Sequence, residues 1–287
     1  MKVYTGDKIR NVAVVGHGAS GKTSIIDALA FVAGSSSRHG SVEDGNALTD
    51  YTPEEIERQY SINLAVAHAE WNDVKVNLID TPGYLDFIGD ALAGISAADA
   101  ALVVVSATSG VEVGTEKVWE YASEREIPRL FFVSLLDKEN ADFEKVYRDI
   151  KEHLTSKVVP IEIPVGEGPD FHGIINLFSK KCHLYKKGTK TGEYDEVDVP
   201  DDYKERLERY SQELIETIAT TDDELLERYL GGEELSRDEA IAALKQGMMA
   251  GELCPMLCGS AQRTYGMRAL LGKLVEVVPA PTERPPV

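Results

Sequence analysis

The chain has 287 residues, 43% of them hydrophobic, so it can bury a full core and has room for more than one substructure. Its formal net charge of −19 argues against a broadly basic nucleic-acid groove, although contact through one local surface stays open. Three cysteines without a C-x-x-C pair predict reduced thiols in a cytosolic protein, and no apolar run suits a signal core or a membrane span.

The first motif along the chain is a phosphate-binding loop. Residues 16–23 read G-H-G-A-S-G-K-T and fit the pattern G-x-x-x-x-G-K-[ST] at every fixed position. An apolar run at residues 11–15 predicts a buried strand before the loop, and residues 24–31 predict a helix after it. In that context backbone N–H groups bind a phosphate chain, Lys22 reaches the β- and γ-phosphate oxygens, and the Thr23 hydroxyl ligates Mg²⁺. A glycine-rich turn before a lysine is the alternative, which this order of elements disfavours.

The next part of the chain predicts a layered α/β core. Residues 34–52 are rich in Gly, Ser and Asp without periodicity and predict a mobile loop. Residues 63–71 and 74–79 predict an antiparallel strand pair at a sheet edge. Helices and apolar strands then alternate, with helices at 85–98, 112–125 and 142–154 and strands at 100–105 and 129–133. This alternation indicates a mainly parallel sheet covered on both faces.

The character of the sequence changes at about residue 156. Short strands at 158–164 and 173–178, a polar stretch and three helices (201–217, 222–229 and 237–250) predict an α+β insertion over residues 156–253. Two of the helix starts have capping-box spacing, Thr221-x-x-Glu224 and Ser236-x-x-Glu239. Residues 193–239 contain eighteen acidic and five basic residues, which predicts solvated helix faces or an acceptor surface for a basic partner.

The α/β pattern resumes with a strand at 255–258 and a helix at 266–278. We therefore predict a core in two parts, residues 1–155 and 254–278, which surround the insertion. The prolines within residues 279–287 predict a linker to further C-terminal domains. The predicted fold class is α/β, a P-loop NTPase with an inserted α+β subdomain.

A second motif, Asp80-Thr81-Pro82-Gly83, follows a predicted strand 58 residues beyond Lys22. Ligands of open α/β sheets bind at the carboxyl ends of the strands, which is where this motif lies. Asp80 would hold Mg²⁺ through water, and the Gly83 amide could bond a γ-phosphate, since glycine permits the closest approach. A Pro-Gly turn alone is common. Together, the phosphate-binding loop and the motif at residues 80–83 predict a nucleoside triphosphatase.

With these motifs the chain resembles the GTPase domain of elongation factor G, including its characteristic insertion, over essentially its whole length. Further matching motifs are Asp86-Phe87, Gly110-Val111-Glu112, D-K-E-N-A-D at residues 137–142 and C-G-S-A at residues 258–261. The resemblance implies GTP or GDP with Mg²⁺, a ribosome partner, and an insertion that meets ribosomal stalk proteins. We expect a cytoplasmic monomer without membrane contact or sequence-specific nucleic-acid binding.

The resemblance also implies the roles of individual residues. The expected nucleotide-binding residues are Gly16, His17, Gly18, Ala19, Ser20, Gly21, Lys22, Thr23, Ser24, Asp80, Gly83, Ser134, Leu135, Asp137, Ser260 and Ala261. The expected metal ligands are Thr23, Ser61 and Asp80, and the expected catalytic residues are Lys22, Gly83 and Tyr84.

Two departures from the family's pattern lie in its base-reading motif N-K-x-D. Ser134 and Leu135 stand at its first two positions, whereas Asp137 keeps the acceptor for guanine N1–H and N2–H. Each lost polar contact costs about 0.5–1.5 kcal/mol. We therefore expect guanine selectivity to survive, through Asp137 and the backbone of residues 260–261, with weaker affinity.

Two other departures concern hydrolysis. Tyr84 stands where the family has the histidine that positions the attacking water, and Ala19 stands where it has aspartate. A phenol with a pKa near 10 is no ready base at neutral pH, although it can hydrogen-bond a water. Both departures predict slow hydrolysis, and Tyr84 also resembles a divergent branch of elongation factor G-like paralogues.

Residues 57–62, E-R-Q-Y-S-I, resemble the family's E-R-G-I-T-I, so Ser61 either replaces a metal-contacting threonine or merely begins a strand.

Two functions stay open. A ribosome-stimulated GTPase would order residues 34–62, and the region after Gly83, around a γ-phosphate. The alternative is a nucleotide-dependent ribosome-binding or regulatory module with little hydrolysis. Translocases, ribosome-protection proteins and regulatory paralogues share these motifs.

Overall fold

The computed structural model describes residues 2–233 and 235–284. Its first half alternates strands and helices. In chain order these are β1 (Ile9–Val15), α1 (Lys22–Val32), α2 (Pro53–Arg58), β2 (Ala65–Trp71), β3 (Val74–Asp80), α3 (Ile88–Ala97), β4 (Ala100–Ser106), α4 (Val113–Glu124), β5 (Arg129–Ser134), α5 (Phe143–His153) and β6 (Val158–Pro160).

The second half begins with four short strands and continues with helices before the last strand. The elements are β7 (Glu162–Val165), β8 (Gly173–Asn176), β9 (Lys181–Tyr185), β10 (Tyr194–Asp198), α6 (Lys204–Ala219), α7 (Asp223–Leu230), α8 (Arg237–Met249), β11 (Cys254–Cys258) and α9 (Met267–Val277).

The larger sheet has seven strands in the spatial order β2-β3-β1-β4-β5-β11-β6. Only the edge strand β2 runs antiparallel to its neighbour, and every other pair is parallel. All of β4 and the last four residues of β1 are buried, because helices cover both faces of a parallel sheet. The predicted P-loop NTPase-type α/β fold and its antiparallel edge pair are confirmed. Parallel pairing also brings the carboxyl ends of β1, β3, β4, β5 and β11 to one edge.

The smaller sheet is antiparallel, in the order β10-β9-β8-β7. Residues 158–164, which we expected to form one strand of the insertion, form two strands in different sheets. Pro160 pairs with Met256 of the large sheet, whereas Glu162 pairs with Asn176 of the small one. The Ile161 amide still donates to the Met256 carbonyl at 2.9 Å, whereas the Ile161 carbonyl accepts from the Leu177 amide at 3.1 Å, so the chain changes sheets at Ile161. The small sheet therefore begins several residues after the predicted boundary at 156.

Strand β10 begins within the stretch at residues 186–196, which the sequence predicted to be polar and rich in turns, and ends at Asp198. It is an edge strand, and three of its five residues are exposed charged side chains. Natural edge strands often carry charges of this kind, which hinder pairing with other chains. The same charges conceal the alternation of apolar and polar residues that identifies a strand.

One of the two predicted capping boxes is present. Ser236 and Glu239 exchange both hydrogen bonds at the start of α8. At α7 the prediction is wrong, because Asp222 caps the helix by accepting a hydrogen bond from the Leu225 amide. The Thr221 hydroxyl instead donates to the Ile218 carbonyl at 2.8 Å, at the end of the preceding helix.

The first residues of the predicted linker pack against the core. Ala280 is buried, and Glu283 forms an ion pair with Lys245 at 2.6 Å. Pro285 and Pro286, which belong to the same prediction, lie outside the described residues. Within residues 2–233 and 235–284, no helix has the length and apolar character needed to cross a bilayer.

Glu162 is a fully buried carboxyl group at the junction of the two sheets. Burial raises its pKa to about 8, against the opposing effects of the Lys273 ammonium and the Cys258 backbone. The folded chain therefore holds a proton at Glu162 at neutral pH. An unfolded chain would release that proton just above pH 4.5.

The pH dependence of stability tests this placement. The contribution of protonated Glu162 is fully present below pH 4.5 and is lost, by up to about 1.4 kcal/mol per pH unit, as the pH rises toward 8. Glu162→Gln cannot titrate. In urea unfolding at pH 5, 7 and 9, we expect the free energy of unfolding of this variant, relative to that of the wild type, to increase from each pH to the next. A difference between the two proteins that stays constant over this range would contradict the assignment.

Candidate nucleotide-binding site

The phosphate-binding loop joins β1 to α1 through two glycines in unusual conformations. Gly16 has a φ of 148° and Gly21 a φ of 90°. A Cβ atom at Gly16 would lie only 2.3 Å from the Val104 carbonyl oxygen, so a larger residue cannot follow this path. Helix α1 begins at Lys22, and its first turn, which includes Ser24, presents the free N–H groups that helix N-termini offer to phosphate.

The Asp80-Thr81-Pro82-Gly83 turn lies directly against this loop. The Thr81 hydroxyl donates to the Val14 carbonyl at 2.8 Å and fixes the turn to β1. A Cβ atom at Gly83 would lie 2.4 Å from Lys22 Nζ and 2.7 Å from the Gly18 amide nitrogen, so only glycine permits this approach. Lys22 is buried and donates to the His17 carbonyl at 2.8 Å. Burial lowers its pKa to about 8, which leaves it mainly charged at neutral pH.

A group of oxygen-bearing side chains surrounds Thr23. Thr23 Oγ1 lies 3.0 Å from Ser61 Oγ, and the Ser61 hydroxyl donates to Asp50 Oδ1 at 2.8 Å. The Thr49 hydroxyl donates to Asp80 Oδ2 at 2.5 Å. The other carboxylate oxygens of Asp50 and Asp80 are buried and have no hydrogen-bond partner in the described part of the chain. Burial raises the pKa of Asp80 to about 6 and also raises that of Asp50.

This donor set fits a hard divalent cation. Buried carboxylate oxygens without a partner are costly, and Mg²⁺ prefers oxygen ligands of this kind. Of the expected metal ligands, Thr23 and Ser61 are in direct contact. Asp50 and Thr49, which were not predicted, bond to Ser61 and to Asp80 respectively. Both missed residues belong to the segment that its composition predicts to be a mobile loop.

A capping box holds the end of that segment, at Thr52, and the residues that follow it. Thr52 and Glu55 exchange hydrogen bonds at the start of α2. Glu55 is almost fully buried, and its Oε1 atom also accepts from the Ile62 and Asn63 amides at 3.0 and 2.9 Å. One carboxylate thus joins α2 to the residues beside Ser61. The T-x-x-E spacing at residues 52–55 is the signal that could have identified this structure from the sequence.

Ser134 connects the base-reading segment to the phosphate-binding loop. Its hydroxyl donates to the Ser20 carbonyl at 2.6 Å and lies 3.2 Å from the Val105 carbonyl. The departure from asparagine therefore keeps a link between the loops, although a single hydroxyl proton serves one acceptor at a time. Leu135, with a φ of 59°, packs over the loop, and its Cδ2 would lie 3.7 Å from a Cβ atom at Gly21.

Asp137 and the segment that begins at Ser260 complete this side of the site. Asp137 Oδ1 is buried and has no hydrogen-bond partner within the described residues, so it can accept from a ligand. Ser260 and Ala261 are buried at the end of β11. Lys138 Nζ donates to Gln262 Oε1 at 2.8 Å and joins the two segments. This link was not predicted.

Tyr84 lies over the phosphate-binding loop. Its ring carbons would be 3.0 Å from a Cβ atom at Gly18, and the side chain is 40% exposed. Tyr60 meets Tyr84 edge-on with 4.8 Å between ring centroids, and lies 6.4 Å from Phe87. Arg58 donates to the Tyr60 hydroxyl at 3.0 Å. Tyr60 was not predicted to have a role, although it also departs from the family's pattern.

Two more loop residues have defined surroundings. His17 Nδ1 accepts from the Gly114 amide at 3.2 Å, and its Nε2 lies 3.5 Å from Glu112 of the G-V-E motif. Ala19 is exposed and has a φ of 60°. Aspartate and asparagine adopt this left-handed conformation more readily than alanine does. The departure at Ala19 therefore removes a carboxylate and adds local strain.

Comparison with known proteins gives a family match and a similar solved structure. The model of the family described as the elongation factor Tu GTP-binding domain matches residues 7–280. A crystal structure of a protein from Thermus thermophilus is similar to this chain, with a TM-score of 0.90 and 39% sequence identity. The similarity covers 97% of this chain and 41% of that one. The chain thus spans about two fifths of the length of the solved protein it matches.

The contact between Tyr60 and Tyr84 can be measured with a double-mutant cycle. An aromatic pair contributes about 0.5–1.5 kcal/mol beyond its buried area, and partial exposure places this pair near the lower limit. We expect Tyr60→Leu and Tyr84→Leu to show a coupling of about 0.5 kcal/mol in the free energy of unfolding. Tyr60→Leu combined with the distant Tyr229→Leu should be additive. Additivity in both pairs would show that the two rings do not interact.

Proposed function

The chain belongs to the family of elongation factor Tu GTP-binding domains and is a translational GTPase G domain, and on that premise we propose that it is a GTP- and Mg²⁺-dependent switch. The switch acts on the ribosome as elongation factor G does, and hydrolyses GTP slowly. The protein works in the cytoplasm as a monomer.

The observation that carries the proposal is the close approach of Gly83 to the phosphate-binding loop. Gly83 lies beside Lys22 Nζ and the Gly18 amide, which supports a role for Gly83 and Lys22 at the terminal phosphates of a bound nucleotide. Residues 16–24 hold the phosphate chain, and Asp137 accepts from guanine N1–H and N2–H. The backbone of residues 260–261 bounds the base on its other side.

The metal belongs to the same proposal. Thr23 and Ser61 would bind Mg²⁺ through their hydroxyls, and Asp80 would hold it through water. When bound, the ion neutralises charge on the β- and γ-phosphate oxygens. Ser61 touches both Thr23 and Asp50, so the position of residues 34–62 depends on what occupies the phosphate end of the site.

Slow hydrolysis follows from Tyr84. Its phenol can donate a hydrogen bond to a water or accept one, but it is a poor acceptor of a proton at neutral pH. Phosphoryl transfer depends mainly on positioning and electrostatics, so a water held by a phenol still reacts, at a reduced rate.

A second candidate is a nucleotide-dependent ribosome-binding or regulatory module with little or no hydrolysis. The Tyr84 ring packs on Gly18 and Tyr60. This packing favours the second candidate, because a phenol held in this way is a poor general base for an attacking water. The two candidates differ in turnover and agree on nucleotide binding.

Base selectivity tests the nucleotide site. We expect wild-type protein to bind fluorescent GDP more tightly than fluorescent ADP in equilibrium titrations. Asp137→Ala removes hydrogen bonds to a charged acceptor, worth about 1.5–3 kcal/mol, and should weaken GDP binding by about tenfold or more while ADP binding stays the same. Asp170→Ala, an exposed carboxylate in the insertion, is the control. Equal affinity of the wild type for both nucleotides would reject guanine recognition.

Single-turnover GTP hydrolysis distinguishes the two candidates. We expect slow wild-type hydrolysis that ribosomes accelerate and EDTA abolishes. Tyr84→His supplies a base that titrates near neutral pH and should raise the ribosome-stimulated rate by about tenfold or more, whereas Tyr84→Phe should lower it. Fast wild-type turnover that Tyr84→His does not improve contradicts the role of Tyr84. If ribosomes stimulate neither protein, the binding module is the better description.

A further inference from the structure

A second cleft, of about 600 Å³, lies beside the base-reading side of the candidate site. It is enclosed by the end of α1, the residues that follow it, the β9–β10 connection and the segment after Ala261. Its lining includes Phe31, Arg38, His39, Lys190 and Arg263. None of the nucleotide, metal or catalytic roles proposed above uses these side chains.

The charge of this cleft is opposite to that of the chain. Arg38, Lys190 and Arg263 are cations, and the described residues that line the cleft include no carboxylate, although the chain has a net charge of −19. Lys187 does not line the cleft but directly precedes Gly188, which does, and residues 186–192 contain three lysines and no acidic residue. Of these lysines, Lys186 pairs with Asp195, whereas Lys187 and Lys190 are exposed.

The connection is fixed against the core. The Thr264 hydroxyl lies within 3.3 Å of the Lys190 carbonyl, and Arg268 Nε donates to the Thr191 carbonyl at 3.1 Å. A Cβ atom at Gly192 would lie 2.3 Å from the Thr264 carbonyl oxygen, so the two segments are in tight contact. Arg263 donates to the Phe171 carbonyl at 2.6 Å, which holds its guanidinium without neutralising it. The backbone of the connection and the Arg263 guanidinium are therefore fixed by the fold.

The cleft also has a flat aromatic wall. Phe31 and His39 stack with 5.4 Å between ring centroids and an interplanar angle of 11°. Burial lowers the pKa of His39, so its ring is neutral at physiological pH and suited to stacking. Cations that contact phosphates next to aromatic faces that contact bases are the combination found in proteins that bind single-stranded RNA. An acidic protein segment would have no use for the second feature.

We propose that this cleft binds the phosphate backbone of a single-stranded RNA segment, with Lys187, Lys190 and Arg38 on the phosphates and the Phe31–His39 stack on a base. The inference rests on the proposed ribosomal function and specifies one contact surface within it. Binding depends on backbone charge rather than base sequence, which agrees with the expected absence of sequence-specific nucleic-acid recognition.

The test is fluorescence anisotropy with a labelled 20-nucleotide single-stranded RNA, at 50–200 mM KCl and with saturating GDP to occupy the nucleotide site. Lys187→Glu/Lys190→Glu removes two phosphate contacts. We expect its affinity to fall by about tenfold or more, and the slope of log affinity against log salt to become shallower by about 1.4. Lys145→Glu/Arg148→Glu makes the same charge change at exposed positions of α5 and should have a much smaller effect.

Equal losses in the two double variants, or no loss in either, would overturn the proposal, because bulk charge or another surface would then explain the binding. Displacement of the RNA by a 20-residue polyglutamate at equal charge concentration would overturn it in favour of an acidic protein partner. Fluorescent GDP affinity should stay the same in all variants and reports that they fold. If RNA binding fails while ribosomes still stimulate hydrolysis, this inference falls and the proposed function stands. If the wild type binds RNA as expected but ribosomes do not stimulate its GTP hydrolysis, the proposed ribosome-stimulated function falls and the RNA-binding inference stands.

Discussion

The contact between the Gly83 turn and the phosphate-binding loop is the constraint on which the candidate site depends. Strands β1 and β3 are parallel neighbours with Val14 opposite Asp80, so the segments that leave them must meet at the same edge. The Thr81 hydroxyl fixes the turn at that edge, and the absence of a side chain at Gly83 lets the two backbones touch. This contact positions Asp80 beside Thr23 and Tyr84 over the phosphate-binding loop. The site is thus a consequence of strand order and one glycine.

Much of this could be predicted from the sequence, and the reasons differ from element to element. Buried parallel strands such as β4 give uninterrupted apolar runs, and the phosphate-binding loop has fixed spacing because backbone geometry requires it. Asp50 could not be predicted in the same way, because its place near Thr23 depends on irregular backbone with no period. The change of sheet at Ile161 could not be predicted either, because β6 and β7 follow each other in the sequence as one apolar run. Local pattern identifies elements, whereas partners across the fold decide which sheet or site they join.

The departures from the family's pattern are neighbours in space. Ser134 bonds to the Ser20 carbonyl, Leu135 covers Gly21, and Tyr84 covers Gly18, so each altered side chain rests on the same loop. Their common effect is a phosphate-binding loop that is held by hydroxyl, aliphatic and aromatic contacts in place of amide, ammonium and imidazole groups. In the proposed function, phosphate binding therefore stays firm whereas hydrolysis is slow.

The buried carboxylate of Glu55 has a consequence for motion. Because it binds the amides of residues 52, 62 and 63, helix α2 and the residues that precede β2 are tied into one body. Ordering a free backbone costs about 1–2 kcal/mol for each residue, but a preassembled body loses only the freedom of its hinges. Ser61 already lies 3.0 Å from Thr23, so a nucleotide that binds there would hold a preformed piece in place instead of folding a coil. Most of the ordering entropy of this segment has already been lost in the folding of the chain.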